Sequence, residues 1–199
     1  SNYVRGVLAN LHRRGIEIGP VDMLIDSNVP RGGGLSSSAA LEVAVCTALA
    51  AFAGVEIDPK EVALIGQAVE HEFVNVPCGI MDQFASVFGQ AGKLMRLDCR
   101  SREFEYFPFD PKGYQLVLVN SKVKHELVGS PYNDRRRSCE NVVAAIAAQF
   151  PDRHFETLRD AEWTDLEAVR NKVSEEDYSR AHYCLLYTSP SPRDRSLSR

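Results

Sequence analysis

The sequence predicts an α+β fold, on three observations. A strand-like run ends in a glycine loop that opens into a long apolar helix, short alternating runs cluster in the middle of the chain, and helical periodicity returns after them. Helical and strand-like segments are thus mixed instead of alternating strictly, which separates α+β from parallel α/β proteins. With 199 residues, 44% of them hydrophobic and 25% charged, the chain can bury a core in one large domain or two small ones.

Each element has its own signal. In residues 21–26, Val21, Met23 and Ile25 alternate with Asp22, Leu24 and Asp26, as in a strand with one mostly polar face. Residues 30–39, PRGGGLSSSA, then place Gly32, Gly33 and Gly34 one residue before Ser36, Ser37 and Ser38. Residues 38–52 are nearly continuous Ala, Val, Leu and Cys, too long for one strand and rich in helix formers, so a buried helix is expected. Asp58, Pro59 and Glu61 form a helix start: a capping residue, a proline at the first position and a glutamate three residues after the cap. Val62, Ile65, Val69 and Phe73 follow at helical spacing and leave Glu61, Gln67, Glu70 and His71 off the apolar stripe. Residues 75–79 break that pattern, and 80–88 read as a short helix. Residues 93–97, 104–107 and 114–119 read as strands; 130–148 and 164–170 read as helices. Residues 188–199 have no periodicity and almost no apolar content, so they cannot offset the entropy cost of folding.

Composition excludes several functions. The net charge of -4 offers no electrostatic footprint for nucleic acid or an anionic membrane, and no run approaches the roughly eighteen apolar residues of a membrane span. The N-terminus lacks the order of a signal peptide, so a cytoplasmic protein is expected. The five cysteines are odd in number and never arranged as C-x-x-C, which suggests neither a disulfide framework nor a zinc site. Arg135, Arg136 and Arg137 point in different directions on a helix and are expected to be a solvated face.

The glycine loop is the first candidate site. Glycines let successive backbone N–H groups converge without a Cβ in the way, and a following helix N-terminus adds partial positive charge. Together they make an anion site, to which the serines can add hydroxyl donors or an oxygen for Mg2+. The order is neither G-x-x-x-x-G-K-[ST] nor G-x-G-x-x-G, and a flexible turn capped by serine is the plain alternative. Glu70 can offer a carboxylate to a hard cation, or be a solvated helix residue. Asp82, between Met81 and Gln83 at a turn-to-helix junction, has the chemistry to accept or orient a hydroxyl proton in phosphoryl transfer, or to satisfy helix-start donors.

The PRGGGLSSSA segment resembles the phosphate-binding motif of the GHMP small-molecule kinases. Glu70, Phe73 and Val74 with CGIMDQ (78–83), together with NYVRG (2–6), LDCRS (97–101) and LVGSPYNDRR (127–136), are most similar to the galactokinase branch, over essentially residues 1–183. The resemblance implies that Gly32, Gly33, Gly34, Leu35, Ser36, Ser37 and Ser38 wrap the ATP phosphates, with Ser38 and Glu70 near Mg2+. Asp82 would be the catalytic carboxylate at the anomeric hydroxyl of galactose, and Tyr132 would contact the sugar. The implied architecture is an S5-like nucleotide-binding domain, here 1–110, and the start of a ferredoxin-like second domain, 111–183, followed by a disordered or non-native tail, 184–199. A monomer acting on galactose and ATP, without nucleic acid or membrane partners, is expected. The branch's R-x-N-x-x-G-E-H-x-D-Y motif and its G-G-G-F-G-G segment have no match here. An internal fragment is therefore expected, with negligible activity by itself. Kinases of N-acetylgalactosamine or another sugar, and a catalytically silent galactose- and ATP-binding regulator, are the alternatives.

Overall fold

The structure is a computed structural model that describes residues 1–119 and 131–188, less the side chains of residues 131, 132, 187 and 188. The chain parts into two compact units, 1–128 and 129–199, where the sequence placed its boundary after residue 110.

The first unit is built on helices α1 (Asn2–Arg13), α2 (Ser37–Phe52) and α3 (Pro59–Val69). Val7 and Leu11 of α1, Val45, Cys46 and Leu49 of α2, and Val62, Ile65 and Val69 of α3 form one buried cluster. The close approach of α1 to α3 depends on Gly6, where a Cβ would stand 2.7 Å from Val69 Cγ1 and 3.0 Å from Phe73 Cγ. The start of α3 is as the sequence predicts: Asp58 Oδ1 accepts from Lys60 N at 2.7 Å, and Pro59 fills the first position. After Val69 the helix widens into a π-turn, Glu70–Val74, and the N–H groups of Asn75 and Val76 donate to Glu70 O.

Helix α4 (Met81–Phe88) follows, with Phe84 fully buried against Phe88 and Phe104 at ring separations of 5.3 and 6.1 Å. Strands β1 (Lys93–Leu97) and β2 (Phe104–Pro108) pair antiparallel, Leu97 opposite Phe104 and Lys93 opposite Pro108. Asp98 Oδ1 accepts from Arg100 N and Ser101 N and shapes the connecting turn. Residues 21–26 and 114–119, expected as strands, are irregular instead. A strand persists when a neighbour takes its backbone hydrogen bonds, and among the described residues neither segment is paired, which leaves Leu24, Leu116 and Val119 exposed.

The second unit contains α5 (Pro131–Gln149), α6 (Trp163–Ala168) and α7 (Glu175–Thr188), with 3-10 turns at Leu158–Asp160 and Arg170–Lys172. Val142 and Ile146 of α5, Leu166 of α6 and Tyr178, Ala181 and Leu185 of α7 share its core with Phe155 and Val169. Because α7 runs to Thr188, residues 184–188, expected to belong to a disordered or non-native tail, are helical. The reason is Leu185, which continues the stripe of Tyr178 and Ala181 at helical spacing. Residues 189–199 lie outside the described residues. Helices and one small sheet make up an α+β protein. Among the described residues no helix is long and apolar enough to cross a membrane.

Candidate active site

The glycine loop is a turn that delivers the chain into α2. Gly32 and Gly34 have φ of +69° and +71°, the left-handed region that a side chain disfavours, so glycine is needed there for backbone conformation. Ser36 also takes a positive φ, +54°, immediately before the helix. Its hydroxyl makes no cap bond, so serine does not close the helix end in the way the plain alternative requires. The first-turn N–H groups of this 16-residue helix therefore face the loop without a side-chain cap, an arrangement suited to an anion. Gly32, Gly34 and Leu35 are exposed; Gly33, Ser36, Ser37 and Ser38 are half-buried.

One turn inside α2, a cluster of carboxyl groups lies beneath the loop. Glu70, only 2% exposed at the end of α3, lies beside the Ser38 hydroxyl, which acts to lower its pKa. Its neighbour Glu42 of α2 is fully buried, and the two carboxyl groups are close enough for the charge of Glu70 to raise the pKa of Glu42. Gln83 of α4 donates from Nε2 to Glu42 Oε2 at 3.3 Å. Burial, and then the charge of Glu70, pushes Glu42 up to about 8. Burial also raises Glu70, against the nearby Ser38 hydroxyl that lowers it and with a further contribution from Asp82. The same surroundings push Tyr3 of α1 up to about 12 and Cys78 up to about 11, burial first and Glu70 next.

Asp82 sits in the first turn of α4, exposed, while its neighbours Gln83 and Phe84 are buried. The inward residues fix the helix and leave the acid at the surface beside Glu70 and Glu42, whose pKa values its charge raises. The approach to α4 is pinned at Cys78 O, which accepts from Gln67 Nε2 at 3.4 Å and from His71 Nε2 at 2.8 Å in the tautomer protonated there. Ser38, Glu70 and Asp82 are thus brought together from three separate elements, at the end of the helix that the glycine loop opens. Tyr132 opens α5 in the second unit, and its side chain lies outside the described residues.

Two buried members of the cluster went unread in the sequence. Glu42 had a usable signal, since it is the one charged residue in the apolar run 38–52. Gln83 had none beyond its place next to Asp82.

The donor set suits a hard cation. Glu70 Oε2 is buried without a donor, and the Ser38 hydroxyl is the adjacent oxygen. Among the described residues no group of three or more His, Cys, Asp and Glu side chains could hold a metal by itself. Further ligands would have to come with the ion, as phosphate oxygens and waters commonly do for Mg2+.

Comparison with known proteins places the chain. Residues 2–90 match the GHMP kinases N terminal domain. The galactokinase of Thermotoga maritima is 45% identical over 146 residues, 73% of this chain, and that of Chloroflexus aggregans 43% over 165 residues, 83% of this chain. The chain spans 42% of the length of each. The crystal structure of Lactococcus lactis galactokinase complexed with galactose superposes with a TM-score of 0.78 at 28% identity, covering 91% of this chain and 46% of that one. Residues 2–90 therefore match a GHMP kinase N-terminal domain, and over the matched stretches the chain is similar to galactokinases in sequence and in fold.

Proposed function

We propose that this chain is the phosphate-binding and acid-bearing part of a kinase that transfers the γ-phosphoryl group of ATP to the anomeric hydroxyl of galactose. The observation that carries this is the convergence of Ser38, Glu70 and Asp82 at the loop-to-helix junction of α2. Galactokinase relatives and the galactose-bound galactokinase of similar fold support the sugar.

The backbone from Gly32 to Ser38 and the N-terminus of α2 bind the β- and γ-phosphates. The carboxylates of Glu70 and Asp82 next to a polyanion would repel it, so the site requires a divalent cation between them. Ser38 and Glu70 would hold Mg2+, which when bound neutralises charge on the phosphates. Asp82 orients the sugar hydroxyl and takes its proton as the phosphoryl group leaves ADP. Gln83 and Phe84, buried behind it, keep α4 fixed while this happens. Tyr132 contacts the sugar in this scheme.

The test is product formation by the complete product of the reading frame, followed as galactose 1-phosphate by phosphorus NMR. Asp82→Asn should lower kcat by about 10²–10⁴-fold with MgATP affinity retained. Undiminished turnover in that variant, or phosphate released to water independently of galactose, would contradict the assignment.

A further inference from the structure

Two side chains meet over Gly66 of α3, and neither touches the reacting groups of the transfer described above. Glu42 reaches in from α2 and Gln83 from α4, 0% and 1% exposed, and hydrogen-bond each other at 3.3 Å. The meeting is possible because residue 66 has no side chain. A Cβ there would lie 2.9 Å from Gln83 Cγ and 3.1 Å from Glu42 Oε2. Glu42 neighbours Glu70, and Glu70 neighbours Ser38, each near enough to shift the pKa of the next. Gln83 Nε2 also lies 4.0 Å from Cys78 Sγ, in the segment that leads into α4. One run of neighbouring polar side chains therefore leads from Ser38 through Glu70 and Glu42 to Gln83, the residue next to Asp82.

Such a joint is costly to build. Buried polar groups lose solvation that a single hydrogen bond only partly restores, and Glu42 Oε1 and Gln83 Oε1 are buried with no N–H or O–H donor. An apolar pair would fill the same space at lower cost. A polar pair fixes orientation more tightly, because its geometry is directional. We propose that Glu42 and Gln83 are positioning residues, which lock α4 and its Asp82 in register with Ser38 on α2 and aim the Glu70 carboxylate. The proposal rests on the kinase function assigned above.

The experiment compares Glu42→Leu, Glu42→Gln and Gln83→Leu in the complete protein. Leucine fills the volume and removes the polar joint; glutamine at position 42 keeps an acceptor for Gln83 and offers a donor to Glu70. Three quantities are read: kcat and KM for galactose and MgATP, melting temperature, and hydrogen exchange of α4 amides without nucleotide or Mg2+. Both leucine variants should melt close to the wild type yet lose about tenfold or more in kcat, with KM for ATP changed about twofold or less. Exchange in α4 should quicken in both, and Glu42→Gln should restore kcat and slow exchange. Leucine variants with wild-type kcat would overturn the positioning role. So would a loss of kcat that Glu42→Gln fails to rescue. A wild-type protein that transfers no phosphate to galactose would instead overturn the underlying function, and the positioning role with it.

Discussion

Asp165 shows how much one carboxylate can organise. It accepts from Arg153 Nη1 and Nη2 at 2.6 and 2.9 Å and from Glu162 N at 2.9 Å, tying the turn before α6 to the end of α5. The Arg153 hydrogen bond holds its carboxyl below the usual range, and the Glu162 backbone bond acts in the same direction. A depressed pKa means that the folded state binds fewer protons than the unfolded chain, so the contribution is present above the ordinary value of about 4 and is lost as pH falls below it. Asp165→Asn should therefore unfold at lower denaturant than wild type at pH 7, and the gap should narrow between pH 5 and pH 2. A gap that stays constant over that range would show that the carboxylate charge is not what Asp165 contributes. Glu42 behaves oppositely: burial, and then the charge of Glu70, lifts it. Asp165 was an ordinary acid in the sequence, because nothing in its spelling marks the turn that brings Arg153 to it.

At the scale of elements, the packing of α1 on α3 turns on the missing side chain of Gly6. Gly6→Ala would gain helix propensity but would drive a methyl group into Val69 and Phe73, and overpacking dominates at such distances. We expect a net loss of about 1–3 kcal/mol, measured by chemical denaturation. Helices α2, α3 and α4 were legible because their signals are local: an apolar run, a capped start with a proline, a short periodic stretch. The β1–β2 pair was legible for the same reason. Residues 21–26 carried an equally clear alternation and did not become a strand, since alternation specifies a face but pairing requires a neighbour. Helix α1 has Val4, Val7, Leu8 and Leu11 at helical spacing and could have been found by the criterion that found α3. The last turn of α7 was lost to composition, which saw Ser, Pro and Arg downstream but not Leu185 in the core.

For the whole molecule, the candidate site was legible as separate motifs and not as an arrangement. The loop 32–38, Glu70 and Asp82 each had a recognisable chemistry, and their joint meaning came from the resemblance to the GHMP kinases, now supported by the match at residues 2–90. What motifs could not reveal is the buried layer of Glu42, Gln83 and Gly66 that holds them together. The central claim is that the α2 N-terminus, with Ser38 and Glu70 beside it, binds the phosphates of a Mg2+ nucleotide. Calorimetric titration of MgATP into the protein tests it most directly, with wild type compared against Gly34→Val and Glu70→Gln. Gly34→Val should weaken binding about tenfold or more by denying the loop its positive φ, and Glu70→Gln should weaken MgATP binding while leaving metal-free ATP binding little changed. MgATP binding that is absent from the wild type, or equally tight in all three proteins, would contradict the account.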